Sequence, residues 1–484
     1  MDVKRGVIFM FIGREKELQR LKELKSKKVA SFVVVRGRRR VGKTRLINEF
    51  SKSFDKFYSF TGLAPDKKTT NQDQLDEFSR QMTREFHTYT ANFTDWSDAF
   101  FALSNQVQSG SILLLFDEIS WIGSEDHTFL PKIKNLWDLY LKKNDKLIFI
   151  ICGSVSSWIE KNIMQSTGFV GRISFTITLN ELPLHVCRKF WPKNISAYEI
   201  FKVLAVTGGV PKYLEEINPK KNAEDNIRRL CFTQGGLLVE EFEQIFSNTF
   251  LRNSEAYIEI LNTLENGAKT AQKIVASINE LHKGRIYEYL EELSLAGFVT
   301  RDYTWDLKTG RDVKLSNFRL SDNYIRFYIK YTAKNLNKIS RGLYAQKSLT
   351  SLAEWDCMMG LQFENLVINN RHTLQKALDI LPEEILNANP YFQNKTSKQA
   401  GCQIDYMFQT KHNCLYVCEI KYSKHPISIE VINEVQKKIS ALRLPKGTSC
   451  RAVLIHVNGV TKNLIEEDYF ATIIDFSEML NSGC

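Results

Sequence analysis

The amino-acid sequence predicts an α/β protein built from several domains, and three observations support this prediction. In the first half, strand-like apolar runs alternate with helical patterns, which is the order expected of a parallel sheet. The middle of the chain shows helical patterns followed by a hairpin pattern. The last quarter contains two strand-like runs around a polar turn. With 484 residues, the chain has room for roughly two to four domains.

The first element is a buried strand that leads into a glycine loop and a helix. The apolar run at 32–35 precedes the segment from Gly37 to Thr44, which reads Gly-Arg-Arg-Arg-Val-Gly-Lys-Thr, and a helical pattern follows. Glycines let backbone amides approach phosphate oxygens, and the amino terminus of a helix adds further N–H groups. Gly37 and Gly42 are therefore predicted to shape a phosphate-binding loop, or P-loop. Lys43 is predicted to reach the β- and γ-phosphates and Thr44 to ligate Mg²⁺, so we expect ATP and Mg²⁺ as cofactors.

Two further strands carry polar groups at their ends. The apolar run at 112–116 ends in Asp117 and Glu118. Asp117 is predicted to complete the Mg²⁺ shell, and Glu118 is predicted to orient and deprotonate the attacking water. The run at 146–152 leads to Ser154, which either contacts the γ-phosphate or the water, or caps the next helix.

Arg172 follows Gly171 and has two interpretations. As an arginine finger, it stabilises negative charge in the transition state of ATP hydrolysis. As a surface arginine, it has no role in the chemistry. The sequence leaves open whether a finger at this position acts within one chain or on a neighbour, so an ATP-dependent homo-oligomer is one expectation.

An ordered set of motifs resembles the prokaryotic AAA+/STAND-type ATPases often called the archaeal ATPase family. The resemblance implies an ATPase core with a parallel sheet at 10–180 and a helical lid at 181–250. It also implies that Arg14, on the adenine side of the site, and Pro211, in the lid, lie near the nucleotide. The motifs that carry it are Phe11–Leu18, Gly37–Thr44, Asp117–Glu118, Gly171–Arg172 and Gly208–Pro211.

The pattern at 251–340 is that of a winged helix-turn-helix, with three helices before a β-hairpin. In such a module the third helix enters the DNA major groove, and Lys283 and Arg285 lie at its predicted start. Basic residues on the hairpin, or wing, would contact phosphates. The alternative is a packing module that contacts only its neighbours in the chain. The helical patterns occupy 256–264, 270–278 and 283–296, and the predicted wing carries Lys308, Arg311 and Lys314.

The last quarter contains a predicted hairpin at 403–423. Asn413 ends a three-residue turn, and Asn tolerates the left-handed backbone that such a turn needs. Pairing Thr410 with Cys414 across this turn places Asp405 directly opposite Glu419. A turn of a different length would move these two carboxylates to different faces.

A lysine accompanies the two carboxylates, because Lys421 lies two residues after Glu419 and shares its face of the strand. This combination suits Mg²⁺-dependent hydrolysis of a phosphodiester. Asp405 and Glu419 would bind the metal, and Lys421 would position or activate water. The alternative is an exposed charge ladder across a hairpin, which contributes little.

The Asp…Glu-x-Lys pattern resembles the PD-(D/E)xK nuclease superfamily. The resemblance implies a restriction-endonuclease-like α/β domain at 345–484 and a further acidic ligand on a helix, for which Glu364 is the candidate. The sequence departs from the superfamily name because Asp405 follows Ile404 rather than proline. On a predicted downstream helix, Gln436, Lys437 and Lys438 are candidates to meet a phosphate backbone.

The net charge indicates which binding partners the protein could have, and the cysteine content indicates its cellular compartment. The formal net charge of +11 is consistent with a nucleic-acid partner, DNA or alternatively RNA, and also with a solvated lysine-rich surface. Nine cysteines without a CxxC pair indicate reduced thiols in a cytoplasmic protein. No apolar run has the roughly 20 residues of a membrane-spanning helix, so no membrane partner is expected.

These patterns predict an ATPase whose nucleotide state controls a DNA-binding winged helix and a Mg²⁺-dependent nuclease-like domain. One alternative is an ATP-gated DNA-binding regulator whose C-terminal domain has lost catalysis. Another is a signalling switch that oligomerises on ATP and does not contact DNA.

Overall fold

The computed structural model describes residues 11–64, 68–123, 126–154, 156–249, 254–344, 348–397 and 399–482. The chain forms two compact units. The first contains the residues up to Asn180 together with Ser247–Leu251, and the second contains Glu181–Phe246 and the residues from Arg252 onward. Within the described residues, no helix combines the length and the apolar character that crossing a membrane requires.

The first unit is a parallel five-stranded sheet with helices packed on both faces. Its strands are β1 (Ser31–Arg36), β2 (Lys56–Thr61), β3 (Ile112–Asp117), β4 (Leu147–Gly153) and β5 (Ile173–Thr178), in the order β2-β3-β4-β1-β5. Its helices are α1 (Glu15–Ser26), α2 (Lys43–Ser51), α3 (Asn71–Phe86), α4 (Trp96–Gln106), α5 (Ile119–Ile122), α6 (Phe129–Leu139) and α7 (Ser156–Ile159). Short 3₁₀ or π segments lie at Leu141–Lys143, Glu160–Met164 and Thr167–Phe169.

The apolar strands predicted at 32–35, 112–116 and 146–152 are confirmed as β1, β3 and β4. Alternate residues of β1 enter two separate cores, with Phe32 and Val34 on one face and Val33 and Val35 on the other. A parallel sheet buried on both faces needs such continuous apolar runs, which explains why the sequence shows no alternation here.

The parallel arrangement brings the predicted motifs to one edge of the sheet. The P-loop follows Arg36 at the end of β1, Asp117 ends β3, and Ser154 follows the last residue of β4. Arg172 instead precedes Ile173, the first residue of β5. Because the carboxyl ends of parallel strands share an edge, Arg172 lies at the opposite edge from the P-loop.

The second unit begins with a segment that contains only helices: α8 (Leu184–Cys187), α9 (Ala197–Thr207), α10 (Pro211–Glu215), α11 (Ala223–Cys231), α12 (Leu237–Thr249), which belongs to this unit up to Phe246, and a 3₁₀ turn at Arg188–Phe190. The glycine pair before α10 packs against the start of this segment. A Cβ on Gly209 would lie 2.2 Å from the carbonyl oxygen of Leu182. The Gly209 amide also donates a hydrogen bond to Glu181 Oε2 at 2.9 Å. Pro211 then begins α10, at a position that proline favours.

The middle of the chain folds into a group of helices and one hairpin. The elements are α13 (Ser254–Thr263), α14 (Ala271–Val275), α15 (Glu280–Lys283), α16 (Ile286–Leu295), β6 (Val299–Trp305), β7 (Asp312–Leu320), α17 (Asn323–Phe327), α18 (Leu336–Ser340) and irregular helical turns at Tyr328–Thr332 and Ala333–Asn335. A single bridge joins Lys269 to Phe318 beside the hairpin. The helix predicted at 283–296 is confirmed as α16 but begins later, because Lys283 ends α15 and Gly284 and Arg285 separate the two helices.

The C-terminal part forms a second five-stranded sheet. Its elements are α19 (Trp355–Asn369), α20 (Arg371–Ala377), β8 (Ile385–Gln393), β9 (Cys402–Thr410), β10 (Cys414–Lys421), α21 (Glu430–Ala441), β11 (Ser449–His456), α22 (Lys462–Glu466), β12 (Thr472–Asp475), α23 (Phe476–Asn481) and 3₁₀ turns at Leu349–Ser351 and Pro382–Glu384. The strand order is β12-β11-β10-β9-β8. Strands β8, β9 and β10 pair in antiparallel fashion, whereas β10, β11 and β12 are parallel.

The β6–β7 hairpin shares a hydrophobic core with this C-terminal sheet. Trp305 contacts Tyr391 edge-on with ring centroids 5.2 Å apart, and its Nε1 donates a hydrogen bond to Gln409 Oε1. Gln409 Nε2 in turn donates to the carbonyl oxygen of Leu307 at 2.8 Å. The hairpin is therefore anchored from β6 into its turn and is not an isolated projection.

Candidate functional site

The loop between β1 and α2 has the backbone conformation that its two glycines permit. Gly37 has φ 148°, and a Cβ there would lie 2.3 Å from the carbonyl oxygen of Leu179. Gly42 has φ 90° and caps α2. Lys43 is buried, and its Nζ donates hydrogen bonds to the carbonyl oxygens of Gly37 at 2.8 Å and Arg38 at 3.0 Å. The Lys43 side chain therefore lies against the P-loop, from which the sequence predicts that it reaches the β- and γ-phosphates.

The two candidate Mg²⁺ ligands of the first unit are in direct contact. Thr44 Oγ1 donates a hydrogen bond to Asp117 Oδ2 at 2.8 Å. The other carboxylate oxygen of Asp117 accepts from the Glu118 amide at 3.0 Å. A hydroxyl and a carboxylate at this separation fit the shell of one Mg²⁺ ion, since this ion takes oxygen ligands.

Glu118 and Ser154 come from different strands and are hydrogen-bonded to each other. Glu118 Oε2 accepts from the Ser154 amide at 3.1 Å and from Ser154 Oγ at 2.9 Å. Glu118 has φ 48°, a left-handed conformation that is uncommon for residues other than glycine and that clusters at functional sites. Ser154 therefore fixes the carboxylate that is the candidate general base.

Arg14 contacts the P-loop through backbone oxygens. Its guanidinium donates hydrogen bonds to the carbonyl oxygen of Val41 at 3.2 Å and to that of Asn180. The side chain is 8% exposed and also pairs with Glu17 at 3.3 Å. Arg14 thus joins the P-loop to the segment after β5, whereas its expected proximity to the adenine stays a prediction.

Arg172 is engaged at the other edge of the sheet. Its Nε and NH2 groups donate to the carboxylate of Asp138 at distances of 2.8 to 3.0 Å. This hydrogen-bonded guanidinium holds the pKa of Asp138 at about 2. Because the P-loop lies at the opposite edge, Arg172 does not reach the ATP site of its own chain, and a role as a finger requires a neighbouring chain.

The part of the chain that contains the P-loop, Asp117, Glu118 and Ser154 matches the model of one protein family. Residues 11–217 match the family of ATPase domains found predominantly in Archaea. Over these residues the chain is similar to that family, which supports a P-loop ATPase domain here. The match supports ATP as the nucleotide and an ATPase as the enzyme class.

Several known proteins are similar to this chain over longer stretches. An uncharacterised protein of Methanocaldococcus jannaschii is 24% identical over 365 residues, which span 74% of this chain and 76% of that protein. The solved Walker-type ATPase of Pyrococcus abyssi is 16% identical with a TM-score of 0.46, over 66% of this chain and 96% of that chain. The ORC2 protein of Aeropyrum pernix is 12% identical with a TM-score of 0.38, over 68% and 94% of the two chains.

Beyond the ATPase domain, the predicted DNA-reading helix is acidic along its length, and its two basic residues lie before it. Helix α16 contains no lysine or arginine and carries Glu288, Glu291 and Glu292. Lys283 and Arg285 precede it, and each is paired with a glutamate, at 2.5 and 2.7 Å. Entry of this helix into the DNA major groove stays a prediction, and its glutamates do not favour contact with phosphates. The hairpin residues Lys308, Arg311 and Lys314 are exposed.

The hairpin of the last quarter has the predicted register. Strand pairs run from Leu415–Gln409 to Cys418–Tyr406, and the next position in this register sets Glu419 opposite Asp405. Asn413 has φ 52°, so the predicted left-handed turn residue is confirmed. Asp405 Oδ2 accepts a hydrogen bond from the Ile420 amide at 2.8 Å, which leaves Oδ1 as its outward oxygen.

The cation between these two carboxylates is Lys438 and not Lys421. Lys438 Nζ lies 3.3 Å from Asp405 Oδ1 and also contacts Glu419 Oε2. Lys421 Nζ pairs with Glu434 Oε2 at 2.5 Å. The role predicted for Lys421, which is to position or activate water, stays a prediction. We call Asp405, Glu419 and Lys438 the carboxylate–lysine cluster.

The acidic groups in and beside the cluster have perturbed pKa values. Burial, together with the nearby charge of Asp405, raises the pKa of Glu419 to about 7 and that of Glu364 to about 7. Burial opposes the charge on Lys438, yet the two carboxylates hold its pKa above the ordinary value. Such shifts indicate that negative charge is crowded here and that a cation stabilises it.

Glu364, on α19, is not assembled with the other two carboxylates into a larger ligand set. In the part of the chain that the structure describes, no group of three or more His, Cys, Asp or Glu side chains is arranged to hold a metal ion. Two carboxylates completed by water still fit the usual binding of Mg²⁺. A role for Glu364 as a third ligand stays a prediction.

The sequence indicates Lys438 as a candidate phosphate contact, but its contact with the two carboxylates was not predicted. Helix α21 buries Val431 and Val435. Lys438 follows Val435 by three residues, so helical periodicity places it on the same inward face. Applied to this helix, the periodicity would have indicated a lysine directed at the sheet.

Proposed function

We propose that this chain is an ATP-hydrolysing switch whose nucleotide state controls nucleic-acid contact and metal-dependent cleavage by its C-terminal sheet. The observation that supports the ATPase part is a single constellation at one edge of the first sheet. Thr44 contacts Asp117, and Ser154 holds Glu118. Lys43 lies within the adjoining loop.

In the proposed reaction, the residues of the ATPase domain bind the nucleotide and prepare water for attack. A bound Mg²⁺ would supply positive charge that offsets the charge of the phosphates. Thr44 and Asp117 would hold that ion. Lys43 would exchange its carbonyl partners for the β- and γ-phosphates, which are stronger acceptors because they are charged. Glu118, fixed by Ser154, would accept the proton of the attacking water.

Release of phosphate from ATP tests this part. We expect Lys43→Ala to weaken ATP binding, and Glu118→Gln to retain binding while its hydrolysis falls by about 10²-fold or more. Lys22→Ala, which changes an exposed lysine on α1, is the matched control. Unchanged hydrolysis in Glu118→Gln would contradict the assignment of the base.

For the nucleic-acid part, we propose a winged helix whose hairpin, and not its third helix, contacts phosphates. Three exposed basic side chains on the hairpin, the bridge beside it and the net charge of +11 support this proposal. Such contacts position a protein on DNA without reading its sequence. Binding should therefore weaken as salt is raised.

For the C-terminal sheet, we propose a restriction-endonuclease-like domain in which Asp405 and Glu419 hold Mg²⁺. The register of the hairpin and the order of helix, three antiparallel strands, helix and parallel strand support this proposal. Lys421 would position water once it leaves Glu434. The alternative is a DNA-binding regulator in which this domain does not cleave, and the pairing of Lys421 with Glu434 favours that reading.

Cleavage of plasmid and single-stranded DNA in Mg²⁺ or Mn²⁺ distinguishes the nuclease from the regulator that does not cleave. Cleavage that is lost in Asp405→Asn and in Lys421→Ala supports the nuclease. Asp379→Asn, which alters a carboxylate on the loop before β8, controls for the change in charge. DNA binding without cleavage by the unaltered protein would support the regulator.

A further inference from the structure

Lys438 reaches from α21 across to the paired strands β9 and β10. Its ammonium group lies 3.3 Å from Asp405 Oδ1 and contacts Glu419 Oε2, and its side chain is only 26% exposed. The other oxygen of Asp405 is already occupied by the Ile420 amide. One ammonium group therefore contacts one oxygen of each carboxylate, Asp405 Oδ1 and Glu419 Oε2.

A divalent ion held by Asp405 and Glu419 would compete with this ammonium group for the carboxylates. Asp405 and Glu419 face each other across the hairpin, and a metal held between them would bind through Asp405 Oδ1 and an oxygen of Glu419. An ammonium group and a metal ion cannot both occupy this position, because two cations in close contact repel each other. The lysine therefore stands where the proposed function puts the metal.

We propose that Lys438 is an internal cation that neutralises the metal-free site and that a divalent ion must displace it. This inference rests on the metal site of the proposed function. A lysine suits the role, because its flexible stem lets the ammonium move while the helix stays in place. The displaced group remains beside the site, where it can meet a phosphate of the substrate.

The competition lowers the affinity of the site for metal. Hydrogen bonds between an ammonium and buried carboxylates are stronger than bonds between neutral groups, and the metal must break them. Removing the ammonium should therefore strengthen metal binding, whereas removing a solvated lysine nearby should not. Lys437 is exposed and adjacent on the same helix, which makes it the matched control.

Binding of Mn²⁺ to the nucleotide-free full-length protein, followed by electron paramagnetic resonance, tests the proposal. We expect Lys438→Met to bind Mn²⁺ at least about tenfold more tightly than the unaltered protein, since the ion no longer has to break hydrogen bonds between charged groups. Lys437→Met should bind like the unaltered protein. Asp405→Asn identifies which binding event belongs to this site.

A second variant protects the test against a folding defect. Lys438→Arg keeps the positive charge and should bind Mn²⁺ no more tightly than the unaltered protein. Equal Mn²⁺ affinity in Lys438→Met and Lys437→Met, with binding that is lost in Asp405→Asn, would overturn the inference and leave the metal site standing. Absence of Asp405-dependent binding in every variant would overturn both the inference and the metal site.

Discussion

At the residue scale, the candidate chemistry of the ATPase domain depends on pairs that lie far apart in the sequence. Thr44 and Asp117 are 73 residues apart, and Glu118 and Ser154 are 36 residues apart. Each pair meets because parallel strands bring their carboxyl ends to one edge. A change in one member should therefore alter the chemistry without unfolding the sheet.

Ser154 offers a test of this view. Ser154→Ala removes the Oγ hydrogen bond to Glu118 and keeps the backbone N–H bond. One hydrogen bond to a charged group is worth about 1.5–3 kcal/mol, so we expect kcat for ATP hydrolysis to fall by about tenfold or more with KM nearly unchanged. Steady-state kinetics measure this, with the exposed Ser109→Ala as control. An equal loss in both variants would contradict an orienting role.

The types of these residues could be predicted from the sequence, whereas several of their contacts could not. A P-loop and an acidic strand end are local patterns, so Lys43, Thr44 and Asp117 follow from spacing alone. The partner of Lys438 depends on how α21 packs on the sheet, which no local pattern records. For the same reason, the pairing of Arg172 with Asp138 was not predicted.

At the scale of elements, a buried polar network ties the hairpin to α19. Arg319 on β7 donates to Asp302 on β6 at 2.9 Å, and its other side reaches Asn365 on α19. Both members of the ion pair are nearly inaccessible to solvent. Asn365 follows Glu364 directly, so the network links the hairpin to the helix that carries the candidate third ligand.

Removing one member of this pair should destabilise the second unit. Asp302→Ala leaves the charge of Arg319 buried without its carboxylate, which costs about 3–5 kcal/mol. Unfolding in urea measures the loss. Asp312→Ala alters an exposed aspartate of the same hairpin and should have a much smaller effect. Equal midpoints for the two variants would show that the buried pair does not stabilise the fold.

The elements differ in how well the sequence predicts them. The C-terminal hairpin was predicted with its register, because the turn length and Asn413 determine the pairing. The third helix of the middle segment was predicted at 283–296 and forms at Ile286–Leu295, and its later start follows Gly284, because glycine costs helix stability. The packing of β6 on the C-terminal sheet is a contact between distant segments, and no local pattern indicates it.

At the scale of the whole molecule, the position of Arg172 leads to a prediction about assembly. If chains associate on ATP and Arg172 acts on a neighbour, hydrolysis per chain should rise with protein concentration and Arg172→Ala should abolish that rise. ATP affinity should stay unchanged, because Arg172 lies away from the P-loop. Phosphate release across a wide range of protein concentration measures this.

Asp138→Asn is the control for the assembly prediction. It disrupts the same ion pair but keeps the arginine, so it should retain the dependence on concentration. If both variants lose activity to the same extent at every concentration, the pair serves only the fold. If Arg172→Ala behaves like the unaltered protein, Arg172 is a surface residue.

Control of the C-terminal sheet by the ATPase domain is the central claim, and DNA cleavage in Mn²⁺ with and without ATP tests it most directly. Couplings between sites are typically 5- to 150-fold, so cleavage by the unaltered protein should change by about that range when ATP is added. Lys43→Ala should cleave DNA but show no response to ATP. Equal cleavage with and without ATP in the unaltered protein, or an unchanged response in Lys43→Ala, would contradict the claim.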